Sequence, residues 1–144
     1  MDQSVLKQKL YGFDRTLGEE ILEPTRIYVK TVLQLIEAFK IKGIAHITGG
    51  GIYENLPRVL SDGQGLRWDV SSYEIPPIFR LLEEWGNVDR KEMFGTFNMG
   101  IGMILVLSPR DIDGVLASLN ARNIPYIDMG TITEGEKDVQ LCGL

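Results

Sequence analysis

The chain has 144 residues, 44% of them hydrophobic and 24% charged, which is the size and composition of one globular domain rather than of a disordered chain. Its net charge of −5 weighs against general affinity for nucleic acid, and its single cysteine, Cys142, excludes an internal disulfide and a zinc site built from cysteines. No apolar run approaches the ~20 residues of a membrane helix and no secretory signal is expected, so we predict a cytoplasmic protein that binds neither membranes nor nucleic acid.

In the first third of the chain, the sequence pattern predicts a short helix with a connector, an extended segment, a longer helix and a strand. Residues 1–18 are expected to form a short helix and a connector, too small for a core of their own. Pro24 and the β-branched residues around it favour an extended segment at 22–30. Apolar residues then recur at helical spacing over 31–40, and the sequence at 43–48 is typical of a short buried strand.

Helices and strands alternate along the rest of the chain. Periodicity, proline and glycine predict helix 52–60, strand 66–70, helix 77–85, helix 90–94, strand 97–107, helix 109–119, strand 124–133 and strand 138–142. The last two strands are expected to pair as an antiparallel hairpin, joined by a turn at 134–137. We therefore predict an α+β fold, a layered α/β/α domain with helices packed on a mixed sheet of four or more strands.

Three consecutive glycines follow the strand at 43–48. Thr48 leads into Gly49, Gly50 and Gly51, and a helical segment comes next. Glycines let backbone N–H groups turn toward a ligand, and a helix N-terminus adds partial positive charge, so the segment predicts a site for phosphate or another oxyanion. The alternative is a tight turn without a ligand. No Lys-Ser/Thr pair follows, so this is not a Walker loop.

His46 is the only histidine in the chain and lies on the strand just before the glycines. A neutral imidazole there could donate to a substrate or act as an acid or base, which makes His46 the candidate catalytic residue. We favour the alternative of a partly buried histidine bonded to backbone, because the sequence supplies no orienting partner. No second histidine or cysteine lies nearby, and no metal site is predicted.

Three further segments offer polar groups for binding. Asn98 precedes Gly100 and Gly102, two glycines on one face of a predicted strand that indicate close approach of a ligand or, alternatively, of a packed helix. Arg26 carries a guanidinium suited to phosphate or carboxylate, although a solvated arginine is the commoner case. Asn55, after the glycines, is a weaker candidate.

Four of these motifs occur in a distinctive order. They are EPTRIYVK at 23–30, AHITGGG at 45–51, ENLPRVL at 54–60 and TFNMGIGM at 96–103. Together they resemble the C-terminal domain of the AIR synthase family, the phosphoribosylformylglycinamidine cyclo-ligases. The resemblance implies a partly ferredoxin-like sheet with helices on both faces. It is close over residues 17–107 and looser beyond.

The resemblance also implies a reaction. The full enzymes close the imidazole ring in purine biosynthesis: ATP phosphorylates the formyl oxygen of formylglycinamidine ribonucleotide, an internal nitrogen attacks, and phosphate leaves. In the family an N-terminal domain carries the ATP and Mg²⁺ contacts and builds a homodimer. The C-terminal domain faces it across a cleft and helps to hold the substrate.

The ATP-binding segment of the family has no counterpart in this sequence. The resemblance therefore implies that residues 1–18 are a connector from an N-terminal domain and that 19–144 form the C-terminal-like domain. We expect the chain to be inactive alone, with an uncovered apolar surface through which it can self-associate. The expected substrate-side residues are Thr48, Gly49, Gly50, Gly51 and Asn98, with His46, Arg26 and Asn55 as second choices. The alternatives are a freestanding ligand-binding or assembly module and a sister ATP-dependent enzyme.

Overall fold

A computed structural model describes residues 3–10, 12–71 and 73–144. The helices are α1 Leu17–Ile21, α2 Val29–Ala38, α3 Gly51–Asn55, α4 Pro77–Gly86, α5 Arg90–Thr96 and α6 Pro109–Asn120, with 3-10 turns at Gln3–Lys7 and Leu56–Val59. The strands are β1 Ile41–His46, β2 Gln64–Asp69, β3 Met103–Leu107, β4 Ile132–Glu134 and β5 Val139–Cys142. None of the described helices is both long and apolar enough to cross a membrane.

The strands form two sheets. β1 and β3 pair antiparallel, from Ile41 opposite Leu107 to His46 opposite Met103. In the second sheet β2 is central, antiparallel to β4 and parallel to β5. The α+β class is confirmed, but the prediction of one sheet with four or more strands is wrong for the described residues.

The predicted C-terminal hairpin is also wrong. β4 and β5 lie on opposite sides of β2 instead of pairing with each other. The connection between them crosses β2 at Gly65, where an added Cβ would lie 2.7 Å from the carbonyl oxygen of Glu136. Leu66 and Trp68 of β2 are buried, and pairing on both edges satisfies the backbone N–H and C=O groups of this buried strand.

Two predicted strands are shorter than expected, and the extended segment predicted at 22–30 ends early, because α2 begins at Val29. Residues 97–102 form a turn before β3, because Met99 and Gly100 both have positive φ, 51° and 90°. Residues 124–131 also lie outside any strand. In contrast, α4, α5 and α6 begin within about one residue of their predicted starts.

The core has two parts on opposite faces of the β1–β3 sheet. On one face Leu35 of α2 packs with Val115 and Leu119 of α6 against strand residues that include Leu105. On the other face Ile104 belongs to the larger cluster, which α3 and α5 help to form. Because successive strand residues point to opposite faces, helices cover both sides of this sheet, and the layered α/β/α arrangement follows.

Candidate functional site: a groove beside the glycine loop

A groove of about 570 Å³ opens where β1 ends and β3 begins. Segments that are distant in the sequence form its wall: the stretch before α2, the end of β1 and the residues after it, one residue of α4, and the end of α5 with the turn before β3. The lining residues are Thr25, Arg26, Tyr28, His46, Ile47, Thr48, Gly49, Phe79, Thr96, Phe97, Asn98 and Gly102. A backbone hydrogen bond from Ile47 to the Gly102 carbonyl, 2.9 Å, ties two of these segments together.

The three glycines, which we call the glycine loop, have different surroundings. A Cβ at Gly49 would meet no atom within 4 Å, so this residue is open toward the groove that it lines. A Cβ at Gly50, where φ is +87°, would collide with the carboxylate of Glu54. A Cβ at Gly51, where φ is +55°, would overlap the carbonyl of Phe94. Backbone conformation and packing therefore account for Gly50 and Gly51, whereas nothing in the packing requires glycine at position 49.

The loop leaves backbone donors free. Gly51 donates to the carbonyl of Thr48 at 3.0 Å, and Glu54 donates to the carbonyl of Gly50 at 3.1 Å. Within the described part of the chain, the amides of Gly49 and Gly50 have no hydrogen-bond acceptor. Helix α3 is only five residues long, so attraction of an anion would rest on these amides rather than on a helix dipole.

Asn55 does not line the groove. Its side chain is buried, and its Nδ2 donates to the carbonyls of Gly51 at 2.7 Å and Gly49 at 3.2 Å. The predicted contact of Asn55 with a substrate is therefore replaced by a contact with the loop. Gly50 and Gly51 also fall outside the lining residues, although they neighbour Gly49.

His46 is exposed at the end of β1 and faces the groove. Its ring lies 6.0 Å from that of Tyr28 in an edge-on arrangement. Among the hydrogen bonds of the described residues, none involves the imidazole, so the favoured interpretation of a partly buried, backbone-bonded histidine is wrong. Both imidazole nitrogens are therefore available for hydrogen bonds to a ligand.

Asn98 lies at the tight turn before β3. Its Oδ1 accepts a hydrogen bond from the Gly100 amide at 3.0 Å, which leaves Nδ2 to donate elsewhere. The carbonyl of Met99 accepts a hydrogen bond from the Tyr73 hydroxyl at 2.8 Å. Burial raises the pKa of Tyr73 to about 12, so the hydroxyl remains a donor throughout the physiological range.

The two glycines of this segment accommodate protein side chains. A Cβ at Gly102 would overlap the hydroxyl of Tyr28, and one at Gly100 would lie 2.6 Å from Cγ of Pro76. The close approach predicted from these glycines is therefore made by the protein itself. Tyr28 also lines the groove, and the one signal for it in the sequence is the alternation of residues 26–30, which places it on the same face as Arg26.

The charge of the groove favours an anion. Its lining contains the guanidinium of Arg26 and the imidazole of His46, and it contains no carboxylate. Arg26 and Thr48 are both exposed and available to a ligand. Among the described residues there is no cluster of three or more metal-binding side chains, and a groove without carboxylates does not suit Mg²⁺, which prefers oxygen ligands.

Comparison with known proteins places the chain in a family. Residues 2–142 match the family described as AIR synthase related protein, C-terminal domain. The chain belongs to this family. The resemblance inferred from the four motifs is thereby confirmed, and the AIR synthase motifs account for most of the groove: the first supplies Arg26 and Tyr28, the second Thr48, and the fourth Asn98.

Several curated relatives in the AIR synthase family are named phosphoribosylformylglycinamidine cyclo-ligase. One from Alkaliphilus oremlandii is 50% identical over 129 residues, which cover 90% of this chain and 38% of the relative. One from Lachnospira eligens is 50% identical over 144 residues, 99% of this chain and 42% of the relative. One from Caldicellulosiruptor bescii is 47% identical over 141 residues, 97% of this chain and 41% of the relative. The chain thus spans about 40% of the length of these relatives.

Proposed function

We propose that this chain is the substrate-side C-terminal domain of an ATP-dependent cyclo-ligase, which converts formylglycinamidine ribonucleotide to aminoimidazole ribonucleotide in cytoplasmic purine biosynthesis. The names of the relatives support the reaction. The single observation that carries the role of this chain is the groove, in which the free amide of Gly49 lies with a guanidinium and without a carboxylate. Such a site suits a substrate that bears a ribose phosphate.

Each polar group of the groove has a role in this proposal. Arg26 pairs with phosphate oxygens, for which its planar guanidinium is suited. The Thr48 hydroxyl, the free Nδ2 of Asn98 and the Gly49 amide donate further hydrogen bonds that fix the orientation of the substrate. His46 is the candidate to hold or move a proton as the internal nitrogen attacks and phosphate leaves.

The proposal assigns ATP and Mg²⁺ to an N-terminal domain, as the resemblance to the AIR synthase family implies. ATP supplies the phosphoryl group that activates the formyl oxygen, and the residues of the groove are not suited to hold the metal. Phosphoryl transfer depends mainly on positioning and on charge stabilisation, so a domain that orients the substrate makes a sufficient contribution. The chain alone is then expected to be inactive, and the division between residues 18 and 19 stays a prediction.

An exposed apolar surface on α2 supports the proposal that a second domain packs against this one. Val29, Leu33 and Ile36 recur at helical spacing and are 63%, 54% and 47% exposed. Ile27, just before the helix, is 84% exposed. We call these four residues the α2 apolar face. The same polypeptide segment contributes Arg26 and Tyr28 to the groove, so a domain that covers the face would also border the substrate.

The test is an assay of ATP-dependent ring closure. The chain alone is compared with the chain fused behind the N-terminal segment of the Alkaliphilus oremlandii relative, and only the fusion is expected to turn over. In the fusion, Arg26→Ala should lower kcat/KM by about tenfold or more, while the control Arg122→Ala, at an exposed position just after α6 and outside the groove lining, should leave it unchanged. Turnover by the chain alone, or equal rates for both variants, would contradict the proposal.

A further inference from the structure

Asn55 is the only polar residue among the described ones that is buried as deeply as the core, with 4% of its surface exposed. It is the last residue of α3 and does not line the groove. An amide side chain in such a position destabilises the fold unless its hydrogen bonds are made. The partners of its side chain therefore indicate what it does.

Both partners belong to the glycine loop. The Nδ2 of Asn55 donates to the carbonyl of Gly51 at 2.7 Å and to that of Gly49 at 3.2 Å. One amide group thus binds the carbonyls on either side of Gly50. It holds the loop from the buried side.

Because the peptide unit is planar, this contact also fixes the direction of the Gly50 N–H. The Gly49 carbonyl and the Gly50 N–H belong to one trans peptide unit, in which the two groups point in opposite directions. Because Asn55 draws the carbonyl toward the core, the Gly50 N–H must face away from it. Gly50 can follow because its φ of +87° is accessible to glycine, and its amide has no acceptor among the described residues.

We infer that Asn55 is a positioning residue: it turns the Gly50 amide, next to the lining residue Gly49, away from the core and toward the oxyanion of the substrate, which Asn55 itself does not touch. This inference rests on the proposed function of the groove. Asn55 fixes the peptide before a ligand arrives, so binding does not have to order the loop.

The test is a phosphate titration of the 144-residue chain, followed through its backbone amide resonances. In Asn55→Leu, which keeps the branching at Cγ and has no donor, the Gly50 amide resonance should move in the absence of phosphate, and affinity for inorganic phosphate should fall at least about tenfold. The matched control is Val139→Ala, a buried substitution in β5 away from the loop. It should lose stability while its phosphate affinity stays unchanged.

The outcomes separate the inference from the proposed function. A folded Asn55→Leu variant with unchanged affinity would overturn the inference and leave the proposed function standing. Failure of the unmodified chain to respond to phosphate would overturn both. If Asn55→Leu does not fold, hydrogen exchange of the Asn55 side-chain amide in the unmodified chain tests the inference instead. The inference expects slow exchange that phosphate slows further, and exchange at the rate of an exposed amide would overturn it.

Discussion

The hydroxyl of Tyr28 lies in the space that a side chain at Gly102 would occupy. Tyr28 precedes α2 and Gly102 precedes β3, so this contact joins two walls of the groove. The ring of Tyr28 also packs edge-on against His46. The position of the candidate proton carrier thus depends on the absence of a side chain at residue 102.

Replacement of Gly102 by alanine is expected to displace Tyr28 and weaken ligand binding. The added methyl overlaps the tyrosine hydroxyl. The hydroxyl must move, because Gly102 directly precedes β3 and its carbonyl is bonded to the Ile47 amide. Affinity for ribose 5-phosphate, measured by calorimetry, should fall about tenfold.

Gly95→Ala is the matched control for this substitution. A Cβ at Gly95 in α5 would lie 3.8 Å from the ring of Tyr53, an ordinary contact. The control should be neutral or stabilising by up to about 1 kcal/mol, since alanine favours a helix. Equal affinities of the two variants for ribose 5-phosphate would show that the position of Tyr28 does not affect ligand binding.

Alanine substitutions at two positions of the glycine loop should differ in how much they lower the free energy of unfolding. Gly51→Ala should lower the free energy of unfolding by at least about 2 kcal/mol, because it combines positive φ with overlap of the Phe94 carbonyl. Gly49→Ala should change stability by less than about 1 kcal/mol, because the space around residue 49 is open. Urea denaturation measures both. A Gly51→Ala variant as stable as Gly49→Ala would contradict the packing described for the loop.

Tyr73 predicts a pH dependence of stability. Burial raises the pKa of Tyr73 from its ordinary 10.0 to about 12 in the folded chain, so folding favours the protonated phenol. The resulting stabilisation is present in full below pH 10 and is lost as the pH rises toward about 12. Between these values the free energy of unfolding should fall more steeply for the unmodified chain than for Tyr73→Phe.

At neutral pH Tyr73→Phe should lose about 1 kcal/mol, because the hydrogen bond to the Met99 carbonyl is removed. Chemical denaturation at a series of pH values measures both effects. Parallel pH profiles for the two proteins would contradict the assignment of a buried phenol.

The α2 apolar face predicts self-association of the isolated chain. Leu33→Gln should reduce association at high protein concentration in sedimentation velocity experiments, because it interrupts the exposed apolar stripe. The same-helix control, Glu37→Gln at an exposed polar position, should associate like the unmodified chain. If the chain stays monomeric at every concentration, the α2 apolar face is not an interaction surface, and this result would contradict its role in contacting a partner domain.

Local signals explain which elements the sequence could predict. Pro77, Asp89 and Pro109 begin helices at or next to the predicted positions, because each acts within its own first turn. Strand pairing depends on distant residues. The parallel pairing of β5 with β2 arises because the connection after β4 crosses β2, and no periodicity in residues 124–142 indicates that path.

The sequence predicts the hydrogen-bond donors of the candidate site better than the residues that form the walls of the groove. Residue type and neighbours predict five of its residues, and the fold brings these to one groove: Arg26, His46, Thr48, Gly49 and Asn98. They do not predict Tyr28, because its role depends on Gly102 far along the chain. The prediction that Asn55 contacts the ligand is wrong, because a sequence shows that an amide is present but not whether it is buried.

The most direct test of the central claim is a titration of the ¹⁵N-labelled chain with ribose 5-phosphate, with ribose as the control ligand. The account predicts saturable shifts of the Gly49 and Gly50 amide resonances with ribose 5-phosphate, none with ribose, and no change at Gly63, an exposed turn glycine. Unchanged Gly49 and Gly50 resonances at saturating ligand, or equal responses to both ligands, would contradict the claim that the glycine loop receives the phosphate of the substrate.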